Sequence, residues 1–584
     1  MRNDFLINRK IHQYILPGVL MTVAMQLGDV VDGMIVGNLL GSDAMAAIEV
    51  CMPVLMIQQM PAMLLAMGGA AEISILLGKR KQQQANEGFT AMLLSGVVLS
   101  LLIAAFTFIL PGPLANLLSG NQALAELAKP YLMVNFAGIP VLTLAIMFGY
   151  LMNIDNYPQY GSALFIIANI VNLTLDIYFI KSLHMGMFGS ALSTILGYLT
   201  GLVTVIIYMK SRHRMLHFTR LTAGAPAIVK AIALAGIPAA MLTLMSAGKS
   251  VILNSVIVRY MGNDIMAIYS VCVNAVLIAE LFVGGIIGLI PSIAGVLFGE
   301  KDYFGVRVLC KKILQYSYIT IAVLMAVFLF LPQGIAMLFG IRSGEMAEMT
   351  YMALRIFALS FPFYVFNKFM MSYYQTTLHS GISTFVTVLQ GFGLLVPITL
   401  IGIMSYGLKG LCIAAVLSEF LTIVCAAGYR KWMFQRGKFS TGNLYLLPKD
   451  REMECFDYSI ENTIEDMIQA REGLLRFCSQ QNIADFDAKI LGLSLEEIVN
   501  NIIRYGYPER KKYYVDVNLL VEQKYCILRI RDDGIPFDPM TVEVGEMDTV
   551  TGGITLLKRM VTDFQYMRVL NMNNTIIELD IGRK

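Results

Sequence analysis

The sequence is poor in charged residues. Asp, Glu, Lys and Arg make up 15% of the 584 residues, whereas hydrophobic residues make up 57%. Soluble domains carry roughly 25% charged residues, so a purely soluble protein is excluded. The net charge of +3 is too small to indicate nucleic-acid binding, and no basic stripe lies on a recognisable motif.

Three kinds of motif are also absent. The eight cysteines are scattered without a CxxC or Cys/His spacing, which argues against a zinc site and a disulfide framework. Residues 1–20 have no small-residue cleavage site and are predicted to lead into the first membrane helix. No GxxxxGK[ST] loop occurs, so a cassette-type ATP-driven pump is excluded and an ion gradient is the expected driving force.

The chain divides into a hydrophobic part and an ordinary, charged tail. Twelve apolar runs of bilayer-spanning length recur between residues 14 and 431. Lys/Arg clusters follow the even-numbered runs, at 79–81, 210–220, 301–312 and 430–438. By the positive-inside rule, both termini are predicted to be cytoplasmic, in a multi-pass protein of the cell membrane.

The hydrophobic part repeats itself with an offset of 221 residues. This offset aligns Pro17 with Pro238, Gly41 with Gly262, Gly78 with Gly299 and Gly186 with Gly407. Because six spans is an even number, the two halves have the same orientation, and a pseudo-two-fold axis along the membrane normal follows. This architecture is typical of transporters that rock between two open states. A channel is disfavoured, since no selectivity-filter loop is apparent.

Two motifs point to a family. "VDGMIVGNLLGSDAMAA" (31–47) and "NIVNLTLDIYFI" followed by "MGMFGSALSTILG" (169–197) resemble signatures of multidrug and toxic compound extrusion (MATE) transporters. The resemblance covers about residues 10–430. It implies twelve helices in two six-helix lobes, 1–221 and 222–436. It also implies cation-coupled export of organic cations, drugs or related amphiphiles.

Ionisable residues within membrane spans are functional candidates because burying charge in a bilayer is costly. Asn172 and Asp176 are four residues apart and share one helix face, where an amide and a carboxylate can hold a proton or Na⁺. By the resemblance, Asp32, Asn172, Asp176 and Thr194 match the cation site of the family's N-terminal lobe. The other ionisable candidates are Asp29, Glu49, Glu72, Lys249, Glu280, Lys368 and Glu419.

The second lobe lacks this site at the repeated positions. The repeat partners of Asn172 and Asp176 are Gly393 and Pro397. Any coupling in the second lobe would therefore need other groups, such as Lys249, Glu280 or Lys368. A buried ion pair between Lys249 and Glu280 is one such arrangement.

The tail begins after a linker at 437–454 and is predicted to be an α/β sandwich over residues 455–584, with helices on one face of a mostly antiparallel sheet. Glu497 and Asn501 share a helix face. The carboxylate can orient a water or a hydroxyl, and the amide oxygen can bind Mg²⁺. Asp532-x-Gly534 ends a strand, where the carboxylate could accept from an adenine amino group. Gly552-Gly553 opens a helix whose N-terminus suits phosphate.

These elements, in this order, resemble the GHKL ATP-binding fold of gyrase, Hsp90, histidine kinases and MutL. The closest branch is that of the anti-sigma-factor serine kinases. The resemblance implies ATP and Mg²⁺ as cofactors, with Asn501 as the Mg²⁺ ligand, Glu497 as the catalytic base and Asp532 as the adenine reader. It also implies an anti-anti-sigma type of protein partner. Thr555 and Pro536 replace glycines of the family, and residues 538–551 form a short lid.

Three overall interpretations remain open from the sequence. The first is a cation-coupled MATE-type antiporter with a tail that binds ATP and regulates transport or phosphorylates a partner. The second is a lipid-linked precursor flippase on a related fold. The third is a membrane sensor with a serine-kinase output domain. For the tail itself, the alternative is a degenerate fold that binds partners without ATP.

Overall fold

The computed structural model describes residues 2–107, 110–119, 122–211, 214–339, 341, 344–439, 441–447, 455–507, 512–522, 524–541 and 552–581. The chain forms two compact units. The larger unit comprises Gln13–Asp302 and Leu309–Leu444. The smaller unit comprises Met1–His12, Tyr303–Val308 and Tyr445–Lys584.

The larger unit is built from helices, because a backbone in lipid must satisfy its polar groups within its own segment. Helix α1 also supplies the first residues of the smaller unit. The helices are α1 (Phe5–Leu40), α2 (Ser42–Gly78), α3 (Gln82–Thr107), α4 (Pro111–Ser119), α5 (Gln122–Ile154), α6 (Pro158–Ile177), α7 (Gly186–Gly201), α8 (Val203–Lys210), α9 (Ala225–Met261), α10 (Asn263–Ile287), α11 (Gly295–Gly299), α12 (Tyr303–Phe330), α13 (Pro332–Leu338), α14 (Glu345–Ala358), α15 (Phe361–Thr376), α16 (Ser380–Val388) and α17 (Leu395–Gln435). Three π-helical segments accompany them, at Tyr178–Ser182, Ile290–Ala294 and Leu389–Gly393.

The helices account for the twelve predicted spans. Among the described residues, nine stretches are long and apolar enough to cross a membrane, or ten if α14 and α15, which meet at 44°, form one bent span. One of the nine, Ser380–Gln435, is 56 residues long and contains two predicted spans. The chain reverses within it at Gly407, where φ is 58° and ψ is −132°. Helix α1 supplies the first predicted span.

The two halves turn at equivalent positions. Gly41 and Gly262 have φ of 93° and 86°, and Gly186 and Gly407 have φ of 57° and 58°. These are left-handed conformations that glycine adopts without steric cost. Both pairs are related by the 221-residue offset, so the repeat in the sequence is also a repeat of backbone geometry.

Repeat partners also meet at the centre of the larger unit. A Cβ on Gly78 would lie 2.1 Å from the carbonyl oxygen of Val296, and a Cβ on Gly299 would lie 2.3 Å from that of Ile75. A Cβ added to Gly78 would also lie 3.0 Å from the Cα of Gly299. Symmetry-equivalent residues touch only where they flank the symmetry axis. The pseudo-two-fold axis therefore runs between these two glycines.

The smaller unit is the predicted α/β sandwich. Its strands are β1 (Cys455–Glu461), β2 (Tyr514–Val521), β3 (Tyr525–Asp532), β4 (Asp563–Val569) and β5 (Met572–Asp580), in the spatial order β1-β2-β3-β5-β4 with antiparallel pairing throughout. Its helices are α18 (Ile464–Gln480), α19 (Asp485–Tyr505) and α20 (Gly552–Met560). They pack on one face of the sheet over an apolar core that includes Val517, Leu528 and Ile577.

The other face of this sheet is polar, yet several of its side chains are buried. Strand alternation places Asp457, Ser459 and Asp516 on this face, away from the apolar core. The N-terminal segment covers them. Arg2 Nε lies 3.2 Å from Asp516 Oδ2, and Arg2 Nη1 lies 3.4 Å from Asp457 Oδ1. The backbone N–H of Asn3 donates to Ser459 Oγ at 2.9 Å. The sequence predicts the N-terminus only as a lead-in to the first span, so this association is a structural finding.

Candidate functional site

The first lobe contains a cavity of about 160 Å³. Three of the four predicted cation-site residues, Asp32, Asn172 and Thr194, line it. Gly28 also lines the cavity, and the other polar or aromatic side chains that line it are those of Gln58, Gln59, Tyr131, Asn135, Asn169 and Tyr198. The cavity thus combines a buried acid with amide and hydroxyl groups, which suits a small cation or a polar substrate group.

Close packing of α6 and α7 brings the site residues together. A Cβ on Gly197 would lie 2.5 Å from the carbonyl oxygen of Ala168, and one on Gly201 would lie 2.5 Å from that of Leu164. Small residues at such spacing let two membrane helices approach each other. As a result, Asn172 Nδ2 on α6 donates to Thr194 Oγ1 on α7 at 3.1 Å.

Asp32 and Asp176 form the acidic part of the site. Asp32 is 8% exposed and Asp176 is fully buried. The two carboxyl groups lie within hydrogen-bonding reach of each other. Ser190 Oγ donates to Asp32 Oδ1 at 3.4 Å, and the Ser193 hydroxyl donates to Asp176 Oδ1.

This pair requires a proton or a cation. Ionised carboxylates only accept hydrogen bonds, so a bond between Asp32 and Asp176 needs one of them protonated. Among the described residues, no donor reaches Asp176 Oδ2. Within the same residues, no group of three His, Cys, Asp or Glu side chains could hold a metal ion. A bound cation would therefore use the two carboxyl groups together with amide and hydroxyl oxygens.

All four predicted cation-site residues thus lie together, with Asp176 behind the cavity wall. The sequence interpretation missed Ser190 and Ser193, which position the two acids. Their signal was the motif "SALST", in which both serines fall one turn apart on the helix of Thr194. The side chains of Asp29 and Glu49 lie outside the described residues.

In the second lobe, the ion pair differs from the arrangement considered from the sequence. Glu280 Oε1 lies 2.6 Å from Lys368 Nζ, whereas Lys249 is only a charged neighbour of Glu280. Spacing along the sequence could not choose between two lysines 119 residues apart on different helices. The choice is made by the packing of α10 against α15.

In the smaller unit, α19 and α20 bring Glu497, Asn501 and Gly553 together. Asn501 Nδ2 lies 3.4 Å from Glu497 Oε1. A Cβ on Gly553 would lie 2.2 Å from that same oxygen. A side chain at Gly553 would therefore displace the carboxylate. The first turn of α20, which begins at Gly552, therefore lies directly against Glu497.

Asp532 ends β3 as predicted and is 3% exposed. Its Oδ1 accepts from the backbone N–H of Gly534 at 2.8 Å and from Asn573 Nδ2 at 2.9 Å. Its Oδ2 accepts no hydrogen bond from the described residues and is the oxygen available to an adenine amino group. Burial raises the pKa of Asp532 to about 6, although both hydrogen bonds act in the opposite direction.

Gly534 places this turn against the end of α19. A Cβ on Gly534 would lie 2.5 Å from the carbonyl oxygen of Gly506. The neighbouring Ile535 N–H donates to the same carbonyl at 2.9 Å. Asp532 and the Glu497–Asn501 face are therefore linked through one helix. The chemistry of these residues would suit a nucleotide, in which case Asp532 would meet the adenine and the start of α20 the phosphates. Of the predicted lid, residues 542–551 lie outside the described residues, and Pro539–Thr541 form a short 3₁₀ helix.

Comparison with protein families agrees with both units. The MatE family model matches residues 17–178, and the histidine kinase-like ATPase domain model matches residues 460–579. The chain thus contains one region that matches the MatE model and another that matches the histidine kinase-like ATPase domain model. The resemblances predicted from the sequence are thereby confirmed at this level. The narrower resemblance to anti-sigma-factor serine kinases stays a prediction.

The MATE part resembles bacterial exporters along most of its length. It is 23% identical over 393 residues to the multidrug export protein MepA of Staphylococcus haemolyticus, covering 67% of this chain and 85% of that protein. It is 26% identical over 181 residues to a FAD transporter of Shewanella oneidensis, covering 30% and 40% of the two chains.

Solved structures share the fold. An outward-facing MATE multidrug resistance transporter aligns with a TM-score of 0.68 and 20% identity, covering 74% of this chain and 96% of its own. The Vibrio cholerae MATE transporter VcmN aligns with a TM-score of 0.67 and 19% identity, covering 73% and 97%. The larger unit therefore has the MATE fold, and the chain is a multi-pass membrane protein.

Proposed function

We propose that this MATE-family chain is an antiporter that exports organic cations, drugs or related amphiphiles in exchange for H⁺ or Na⁺. The cavity lined by Asp32, Asn172 and Thr194, with Asp176 behind it, is the observation that carries the proposal. The transporting part consists of lobes 1–221 and 222–436, with both termini on the cytoplasmic side. It lies in the cell membrane, and its substrate enters from the cytoplasm or the lipid.

The geometry favours H⁺ as the coupling ion. Asp32 and Asp176 lie within hydrogen-bonding reach, and two buried negative charges at that distance repel strongly in a low dielectric. Protonation of one acid removes the repulsion and creates a hydrogen bond. A substrate cation entering the cavity restores charge balance when the proton leaves. Exchange of a proton for a cation follows from this competition.

Substitution of Asp32 by Asn tests the coupling. The variant keeps the shape of the side chain but cannot release a proton. Efflux of a fluorescent organic cation by full-length protein in liposomes, driven by an imposed H⁺ gradient, is expected to fall at least tenfold. Asp43→Asn is the matched control because Asp43 is exposed at the start of α2. Gradient-driven efflux that survives Asp32→Asn would remove the proposed role of Asp32.

We also propose that the linker at 437–454 joins the transporter to an ATP-binding regulatory domain, residues 455–584. The support is the arrangement of Asp532, Glu497 and Gly553 around the start of α20. Asn501 would hold Mg²⁺ through its amide oxygen, and Glu497 would act as base if a hydroxyl is phosphorylated. When bound, ATP would supply a transferable phosphoryl group, while these side chains orient it.

Nucleotide binding by the full-length protein tests this second part. Wild type is expected to bind Mg-ATP, and Asn501→Ala is expected to weaken binding at least tenfold when Mg²⁺ is present. Asn500→Ala is the control, because Asn500 is the adjacent residue on α19 and points to a different side. Failure of the wild type to bind Mg-ATP would favour a domain that recognises partners without nucleotide.

A serine-kinase output is the second candidate function. It is favoured by the position of Glu497, whose carboxylate lies beside the first turn of α20. The test is phosphate transfer from radiolabelled ATP to a protein of the anti-anti-sigma type. Transfer that is lost in Glu497→Gln, while Mg-ATP binding is retained, would establish this activity.

A further inference from the structure

The second lobe contains a polar cluster of its own, whose charged members are half-buried and whose two amides are buried. Glu419 accepts hydrogen bonds from Asn367 Nδ2 at 2.6 Å and from Gln390 Nε2 at 3.0 Å. Nearby, Lys368 and Glu280 form the 2.6 Å ion pair. These groups come from α10, α15, α17 and the π-helical segment before α17. Charged groups from separate helices converge in this way where they line a pathway or a binding site.

The cluster occupies the symmetry-related position of the first-lobe cavity. The 221-residue offset relates the paired glycine turns. It also aligns four residues that line the first-lobe cavity with members or neighbours of the cluster. The pairs are Gly28 with Lys249, Gln59 with Glu280, Asn169 with Gln390 and Tyr198 with Glu419. Four matches at one offset place the cluster where the repeat predicts a second binding region. The acids of the first lobe have no such counterparts, since Leu253 and Pro397 stand at the positions of Asp32 and Asp176.

The charges in this region differ from those of the first lobe. Glu419 is satisfied by two amides, and Glu280 is satisfied by Lys368. Within the described residues, Lys249 has no hydrogen bond or ion pair, although Glu280 and Glu419 are its charged neighbours. The one charge of the cluster that lacks a direct partner is therefore positive. A half-buried ammonium in this situation gains most from an anionic ligand group.

Two amide oxygens add a second indication of a ligand. Asn367 is fully buried and Gln390 is 8% exposed. Each donates through its nitrogen to Glu419. Among the described residues, no donor reaches Asn367 Oδ1 or Gln390 Oε1. Buried acceptors without partners cost free energy unless a ligand or water supplies a donor.

We propose that the second lobe binds the anionic group of an amphipathic substrate through Lys249, while Asn367 and Gln390 accept hydrogen bonds from its neutral polar groups. The ligand class is an amphiphile bearing a carboxylate or phosphate, alone or together with a cationic group. This inference rests on the proposed export function and names a substrate class for it. It also assigns Lys368 a role as a built-in cation that pairs with Glu280.

The ion pair explains why the second lobe selects an anion and not a second cation. A free cation at Glu280 would have to displace the Lys368 ammonium, which is tethered to α15 and lies 2.6 Å away. A cation at Glu419 would have to displace two amide donors. An anion at Lys249 displaces no protein group. The two lobes therefore have opposite preferences, acid in the first and ammonium in the second.

Paired probes test the proposal in the full-length protein. Carboxyfluorescein serves as the anionic probe and ethidium as the cationic probe. Binding is measured by fluorescence polarisation in detergent, and efflux is measured in liposomes with an imposed H⁺ gradient. Lys249→Gln is expected to weaken carboxyfluorescein binding about tenfold or more, because a charge-assisted bond is lost. Ethidium binding is expected to change less than about twofold.

Two further variants make the result specific. Lys230→Gln, an exposed position on the same helix α9, is expected to leave both probes unaffected. Lys249→Arg is expected to restore most carboxyfluorescein binding, which a merely misfolded variant would not do. Equal losses for both probes in Lys249→Gln, or no loss for carboxyfluorescein, would overturn the proposal. Binding of carboxyfluorescein through Lys249 without any gradient-driven efflux would support this site while removing the antiport function.

Discussion

Two aspartates, Asp32 and Asp532, are both buried but are stabilised in different ways. Asp532 receives two hydrogen-bond donors on one oxygen, which partly offset the burial that raises its pKa to about 6. Asp32 faces a second carboxyl group, Asp176, and only the Ser190 hydroxyl donates to it at 3.4 Å. The first environment suits recognition of a donor on a ligand. The second suits a residue that gains and loses a proton.

The raised pKa of Asp532 predicts a pH dependence for nucleotide binding. The adenine amino group donates a hydrogen bond, so the ionised carboxylate is the binding form. With a folded-state pKa of about 6, raised by burial, this form predominates at pH 7 and is mostly lost at pH 5. The dissociation constant of ATP is therefore expected to rise about tenfold between pH 7 and pH 5. The measurement is the dissociation constant of ATP for the full-length protein, determined by titration at several pH values between 5 and 7.

Asp532→Asn is the control for this titration, because ATP itself takes up protons in the same range. The variant should bind more weakly at pH 7, and only the slope that belongs to the nucleotide should remain. Identical pH profiles for wild type and Asp532→Asn would show that Asp532 does not contact the adenine.

At the scale of elements, the buried polar face of the sheet depends on the N-terminal segment. Arg2 is 2% exposed at its side chain and contacts both Asp457 and Asp516. By contrast, Lys489 Nζ lies 2.6 Å from Asp485 Oδ2, and both of these side chains are exposed. Removing one partner of a buried ion pair costs much more than removing an exposed one, because a charge is left desolvated.

Arg2→Ala is therefore expected to destabilise β1 and β2 by about 3 kcal/mol. Lys489→Ala, the matched control, removes an ion pair whose two side chains are both exposed and is expected to cost about 0–1 kcal/mol. Hydrogen exchange of the two strands in the full-length protein measures the difference. Equal protection in Arg2→Ala and wild type would mean that the N-terminal segment does not stabilise the sheet.

Alanine substitutions at three glycines of α17, near the chain reversal and beyond it, are expected to differ in their effect on stability. A Cβ on Gly410 would lie 1.9 Å from the carbonyl oxygen of Gly402, so Gly410→Ala must push two backbones apart. At Gly407 space is open, and the cost comes only from the positive φ, roughly 1–3 kcal/mol. Gly428 lies in regular helix with nothing within 4 Å, so alanine there is expected to be neutral or stabilising.

Thermal unfolding in detergent, followed by labelling of the buried cysteines, measures these variants. The expected order of midpoints is Gly428→Ala at or above wild type, with Gly407→Ala and Gly410→Ala below it. A midpoint for Gly410→Ala equal to that of wild type would contradict the close approach of the two helices.

Local sequence patterns predicted much of this fold. The four-residue spacing of Asn172 and Asp176 correctly places them on one face, because helix geometry alone fixes it. The 221-residue offset aligns these glycines in the sequence, whereas their turn geometry is a finding of the structure. The contact between Arg2 and Asp516 could not be predicted, since the residues are 514 positions apart and only tertiary packing joins them. The sequence also did not identify Lys368 as the partner of Glu280, because these two residues likewise meet only through tertiary packing.

At the scale of the whole molecule, two chemistries are combined in one chain. The larger unit has a MATE fold with an acid pair in the first lobe and a lysine-containing cluster in the second. The smaller unit has a histidine kinase-like ATPase fold and includes the first residues of α1. Helix α1 also carries Asp32, so one continuous helix belongs to both the ATPase unit and the proposed coupling site.

The most direct test of the account is efflux of a fluorescent organic cation by the wild-type protein in liposomes. An H⁺ or Na⁺ gradient is imposed, with or without Mg-ATP at the face that carries the tail. The account predicts that efflux follows the gradient, that ATP without a gradient drives none, and that Mg-ATP changes the rate about twofold or more. Efflux driven by ATP alone, or no efflux under either gradient, would contradict the account.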